Sequence, residues 1–185
     1  CPLFHLSLQS GCNETLKRMN RHYTAEEYLK GCELLRKYFE NPALTTDVIV
    51  GFPQESEEEF QESKAMIEQA DFYETHIFKY SRRQGTRADR MAGQIPEQVK
   101  TQRSHTLIEL GNIHKKKYME KFIGKEVEIL FEEQCSIHGN TYWTGYTKEY
   151  LKVAAESEEN LENQIKIGQI LGFLEEGTFI CTINS

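Results

Sequence analysis

Two helix-start signals with a β-prone run between them constrain this chain more than anything else in it. Thr24 and Glu27 form a capping box, and Tyr28, Cys32, Leu35 and Phe39 follow at helical spacing. Pro42 closes that helix. Ala43–Val50 is then a nearly continuous β-prone run, the kind buried on both faces of a parallel sheet. After the Gly51-Phe52-Pro53 turn, Ser56 and Glu59 form a second capping box, and Phe60, Ser63, Ile67 and Ala70 mark an inward stripe. With strands expected at Leu3–Leu8 and Phe72–Tyr80, the order is βαβαβ, an α/β parallel sheet covered by helices. Three strands cannot close a barrel, so the remaining strands are expected to be absent or supplied by another chain. Three strands leave edges exposed, so the cut edge beside Leu3–Leu8 is expected to be covered by a second copy, as a homodimer, or by a rearranged segment.

Residues 96–122 read as a connecting basic helix, with Pro96 in its first turn and Val99, Leu107, Leu110 and Tyr118 as its apolar marks. After Gly124 the period changes. Residues 126–133, 142–147, 150–154, 165–173 and 178–183 read as short strands, which predicts a small antiparallel, OB-like β-barrel over 123–185. The acidic stretch Glu156–Glu162 reads as a solvated loop.

The formal net charge is −7, which by itself disfavours a polyanionic partner. Its distribution changes that reading. Lys79, Arg82, Arg83, Arg87 and Arg90 face only Asp89 in residues 79–90, and Lys100, Arg103, Lys115, Lys116, Lys117, Lys121 and Lys125 gather around the long helix. A chain patterned in this way can bind phosphates. Arg82 itself reads as a solvated charge, and His114 and His138 as surface residues.

The 5 cysteines, Cys1, Cys12, Cys32, Cys135 and Cys181, are scattered and odd in number, which suits a reducing, cytoplasmic setting better than a disulfide scaffold. No Cys-x-x-Cys is present, so no metal ligands are assigned. No apolar run approaches the roughly 20 residues that span a bilayer, and the stretch CPLFHLSLQSG lacks the pattern of a secretory signal. No membrane association is expected.

Polar residues and glycines cluster where the three expected strands end, at His5–Gly11, Thr46–Pro53 and Phe78–Thr86. In parallel barrels that rim holds the ligand site. The segments themselves, His5-Leu-Ser-Leu-Gln-Ser-Gly-Cys-Asn13, Leu16-Lys-Arg-Met-Asn-Arg-His-Tyr-Thr24, Thr46-Asp-Val-Ile-Val-Gly-Phe-Pro53 and Tyr80-Ser-Arg-Arg-Gln-Gly-Thr86, resemble the radical S-adenosylmethionine methylthiotransferases. The resemblance runs in order along the chain: it implies that residues 1–95 are the C-terminal portion, about three βα units, of a partial TIM-like barrel, and the last 60 or so residues are similar to the RNA-binding TRAM barrel that ends those enzymes.

The resemblance implies an enzyme that methylthiolates tRNA, with S-adenosylmethionine and two 4Fe–4S clusters as cofactors and a tRNA anticodon stem-loop as partner. Ser10-Gly-Cys-Asn13, Met19–Thr24 and Trp143–Val153 resemble most the enzymes acting on N6-threonylcarbamoyladenosine. Relatives acting on N6-isopentenyladenosine or on a ribosomal protein remain alternatives, and a stand-alone RNA-binding module is an alternative of another class.

By position, Gln9 and Arg21 would grip the methionine end and ribose of the cofactor, where a carboxylate wants a two-pronged cation. Asp47 would hold ribose hydroxyls. Ile49 and Phe78 would wall the adenine, with Ser81 beside them. Arg83 would meet phosphate or cofactor near the substrate. Trp143, Tyr146, Tyr150 and Lys152 would stack bases and neutralise phosphate, although strand alternation cannot turn all of these aromatics outward. The cluster cysteines of the family are absent here, so no catalytic residue is assigned. The chain is expected to be inactive alone, its ligating thiolates lying in a missing N-terminal part.

Overall fold

The computed structural model describes residues 1–184. Two compact units emerge, Phe4–Lys115 and, separately, Lys116 onward together with Cys1–Leu3. The boundary falls inside the long helix.

The α/β unit contains a three-stranded sheet in the order β1 (Leu3–His5), β2 (Ala43–Val50), β3 (Glu74–Lys79). β2 and β3 are parallel, with Asp47 opposite His76 and Ile49 opposite Phe78. Helices α2 (Ala25–Tyr38) and α3 (Glu57–Ala70) both start on the capping boxes read from the sequence, each with the reciprocal pair of hydrogen bonds formed. Each box satisfies two amide donors that would otherwise be orphaned. Leu44, Val48 and Val50 of β2 pack with Cys32, Phe60, Ile67 and Ala70 into one core, joined by Leu6, Leu8, Phe72 and Leu107. The opposite face of the sheet carries His5, Asp47, Ile49, His76 and Phe78, all exposed or half-buried.

The expected first strand is shorter than predicted. After His5 the chain leaves β-geometry, and Gln9 takes a φ of 70° while still bridging to Val48. A further helix, α1 (Asn13–Arg18), was not expected from the sequence. Its N-cap, Cys12, makes no side-chain cap hydrogen bond, so the usual signal is missing.

Helix α4 (Glu97–Glu120) packs onto this unit through Leu107 and Leu110. Its Gly111 lies so close to Thr75 that a Cβ there would strike the threonine hydroxyl. The cations expected to gather around this helix are not all solvated, and His114 is not the surface residue expected. Arg103 is 6% exposed and His114 also 6%, and Lys115 pairs with Glu74 at 2.7 Å.

The second unit is a closed barrel of β4 (Glu126–Ile137), β5 (Asn140–Thr147), β6 (Lys152–Ala155), β7 (Ile165–Glu175) and β8 (Thr178–Ile183), in the order β4-β5-β6-β8-β7. Closure removes the sheet edges. It is not wholly antiparallel as expected, because β6 and β8 run parallel. β4 runs past Glu133 to a tight hairpin in which His138 and Gly139 both have positive φ, the geometry that matches strand twist. Ile129, Phe131, Val153, Ile170 and Phe179 fill the interior. No helix among the described residues is long and apolar enough to cross a membrane.

Candidate functional site

The end of the first strand is held from several directions. Gln9 donates its amide to Asp47 O at 2.8 Å and accepts from Ile49 N at 2.9 Å, so its left-handed backbone is locked against β2. Tyr23 donates its hydroxyl to Leu8 O at 2.7 Å. Gly11 N donates to Ser63 Oγ on α3 at 2.8 Å. A left-handed residue fixed in this way is the kind of backbone found at ligand sites.

The same anchoring sets α1. Arg18 donates Nη1 to Glu59 Oε1 at 2.8 Å and also pairs through Nη2 with Oε2. Thr15 donates to the same carboxylate at 3.3 Å. The Arg18 hydrogen bond holds the Glu59 carboxyl below its ordinary range, and Glu59 in turn raises Arg18. Beyond α1, Arg21 N closes back on Leu16 O at 2.9 Å, which folds the Arg21 loop back onto that helix.

A cavity of about 230 Å³ lies between these parts, lined among others by Gln9, Arg18, Arg21, Ile49, Phe52 and Arg87. Three of its walls are arginines; with Arg18 already held by Glu59, Arg21 and Arg87 are the ones placed to meet a carboxylate or another anion. Ligand pockets for whole cofactors run from about 300 Å³ upward, so this one suits one end of a larger molecule. Arg18, Phe52 and Arg87 were not picked out as site residues from the sequence. Arg87 belonged to the basic run, and Arg18 is visible only once α1 is known.

Asp47 does not line that cavity. Its carboxylate sits on the open sheet face, accepting from Ser7 Oγ at 3.3 Å and lying 3.3 Å from His5 Nε2. Phe78 is 53% exposed beside Ile49 on the same face. Ser81 and Arg83 lie in the exposed stretch after β3, where Arg83 O accepts the Thr86 hydroxyl at 2.8 Å. Arg82, expected as a solvated charge, is exposed but paired with Asp89 at 3.0 Å.

In the barrel unit, Tyr146 and Tyr150 stack with ring centroids 4.6 Å apart and planes at 15°. Lys152 is the register partner of Tyr146. Tyr150 is 56% exposed. Trp143 corrects the expectation for it: at 8% exposed its indole is part of the barrel wall and presents no face to a base.

An iron–sulfur cluster does not fit the thiols of the described residues. Cys12, Cys32 and Cys181 are buried, and burial pushes all three thiols up, Cys181 to about 12, which opposes the thiolate form that ligation needs. Among the described residues the one cluster of metal-capable side chains is His5, Asp47 and His76, with no cysteine in it.

The Radical SAM superfamily model matches residues 1–67. The threonylcarbamoyladenosine tRNA methylthiotransferase MtaB of Bacillus subtilis is 40% identical over 180 residues, covering 95% of this chain and 40% of the relative. Along nearly its whole length the chain is thus similar to a radical SAM-type tRNA methylthiotransferase. MtaB of Thermotoga maritima is 34% identical over 98% of this chain and 41% of its own length. A tRNA-2-methylthio-N(6)-dimethylallyladenosine synthase of Oceanobacillus iheyensis is 46% identical over 69% of this chain and 25% of its own length. The chain thus spans less than half the length of these relatives. Among solved structures, coproporphyrinogen III oxidase from Escherichia coli, described as a radical SAM enzyme, superposes with a TM-score of 0.49 at 16% identity, over 67% of this chain and 28% of that one.

Proposed function

We propose that this chain carries part of the cofactor pocket and the RNA-binding barrel of an enzyme that places a 2-methylthio group on N6-threonylcarbamoyladenosine beside the tRNA anticodon. The observation that carries the reading is the single cavity shared by Gln9, Arg21 and Ile49, three residues expected to hold S-adenosylmethionine, with Arg18 and Arg87 added. Its size and charge suit the methionine end of that cofactor. The three cluster-binding thiolates required for S-adenosylmethionine cleavage come from residues outside this chain, so the chain alone is inactive. The barrel is a TRAM domain that meets the anticodon stem-loop through Tyr146, Tyr150 and Lys152. The protein acts in the cytoplasm, where tRNA is found.

Mass spectrometry of tRNA nucleosides from cells lacking the gene tests the reading. Loss of the 2-methylthio derivative of N6-threonylcarbamoyladenosine, with its unthiolated precursor accumulating, is the expected result. Loss of the isopentenyladenosine derivative instead would move the substrate to the relatives typified by the Oceanobacillus synthase. Unchanged nucleosides would overturn the proposal.

A further inference from the structure

The outer face of the barrel carries more apolar surface than Tyr146 and Tyr150 account for. Lys152, Tyr146, Leu130 and Ile165 are successive register partners across β6, β5, β4 and β7. Directly opposed residues of paired strands project to the same side of a sheet, so the four side chains form one rung on one face. Strands about 4.7–4.9 Å apart make that rung about 14 Å long. Its aliphatic members are not buried: Leu130 is 42% exposed and Ile165 62%. Ile167, two residues further along β7 and so on the same face, is 43% exposed. Single apolar residues scattered over a surface need no explanation, but these three are contiguous with one another and with the tyrosine pair.

We propose that Leu130, Ile165 and Ile167 extend the RNA-binding face, as an aliphatic floor for an unpaired base next to the one held at Tyr146 and Tyr150. This extension rests on the barrel being the RNA-binding unit, and it names the side chains that take a second base. The charges around the rung favour nucleic acid as the occupant. Lys152 closes one end of it and has no carboxylate partner among the described residues. Of the carboxylates that flank Leu130 on β4, Glu128 is paired with Lys148 at 3.0 Å. Glu132 sits in the bulge where the register shifts between Phe131 and Glu133, outside the rung. A base offers an apolar face and its phosphate a negative charge, so aliphatic and aromatic side chains bordered by a free lysine match both parts of a nucleotide. Four-stranded RNA-binding sheets hold two or three bases side by side in the same manner.

The test titrates the whole chain with a fluorescein-labelled anticodon stem-loop at several salt concentrations. Leu130→Thr combined with Ile165→Thr removes apolar surface and keeps strand propensity. The double variant is expected to bind at least about 5-fold more weakly, the low end of what one base contact contributes. Its slope of log affinity against log salt should stay that of the parent chain, because no phosphate contact is lost. Its unfolding midpoint should stay close to the parent's, since both side chains are exposed. Unchanged affinity in the double variant, with Tyr150→Ala still weakening binding, would overturn the extension and leave the RNA reading standing. No binding by the parent chain would overturn both. A shallower salt slope in the double variant would trace the loss to charge and also overturn the extension. So would a parent dimer in sedimentation that the double variant turns into a monomer, which would make the patch a contact between copies.

Discussion

Arg103 Nη1 lies 2.8 Å from Glu55 Oε2, in a pair whose side chains are 7% and 2% exposed. The same carboxylate accepts from Gly51 N at 2.7 Å, so the arginine of α4 steadies the turn at the end of β2. Removing the cation leaves a buried carboxylate without its counter-charge, which costs about 3–5 kcal/mol. Arg103→Met should lower the unfolding free energy from urea titration by that amount, and Glu55→Gln added to it should recover much of the loss. Burial already pushes the Glu55 carboxyl above its ordinary range, so the folded state binds that proton more tightly than the unfolded one. Stability from this group therefore falls as pH rises between the ordinary and the raised value. Arg103→Met should steepen that fall.

The pair behind the Arg21 loop has the opposite sign. Arg18 holds Glu59 below its ordinary range, so the unfolded state binds the proton more tightly. The resulting stability is fully present above the unfolded value of about 4.3 and is lost as pH falls through the lowered folded value. Glu59→Gln should reduce stability at pH 7 and flatten the acid limb of the urea midpoint against pH. The exposed Glu97, held at about 2 by hydrogen bonds to Lys100 and Lys79, adds to the same limb. Salt should remove its share first.

Much of the α/β unit was legible because its signals are local. Both capping boxes formed as read, and β2 has the bounds of its β-prone run. What escaped depends on long-range contacts. Arg103 reads as one more cation on a basic helix until Glu55 is seen beside it. Helix α1 has no capping signal, so Arg18 could not be placed at the cavity. In the barrel, alternation marks strands but does not say which neighbour each takes, and the parallel β6–β8 pair was invisible. Strand alternation also could not say which of Trp143 and Tyr146 is inside, because Trp143 and Thr144 are both buried.

Gly11 packs against α3 so closely that a Cβ would stand 2.8 Å from Met66 Cβ and 2.8 Å from Ser63 O. Gly11→Ala should force α1 and the Arg21 loop away from α3. Overpacking of this kind costs about 1–3 kcal/mol, readable by urea unfolding, and cofactor affinity should fall with it.

Base stacking on an aromatic ring is worth about 1–3 kcal/mol. Tyr150→Ala should weaken binding of an anticodon stem-loop by that order in fluorescence titrations, and Lys152→Ala should reduce the salt dependence. Trp143→Phe should lower barrel stability and leave RNA affinity near its original value.

The most direct measurement for the account as a whole is a nuclear magnetic resonance titration of the chain with S-adenosylmethionine. The account predicts saturable shifts at the amides of Gln9, Arg21 and Ile49, abolished in Arg21→Ala and absent from the barrel unit. No shift at these residues, or the same shifts in the variant, would contradict it.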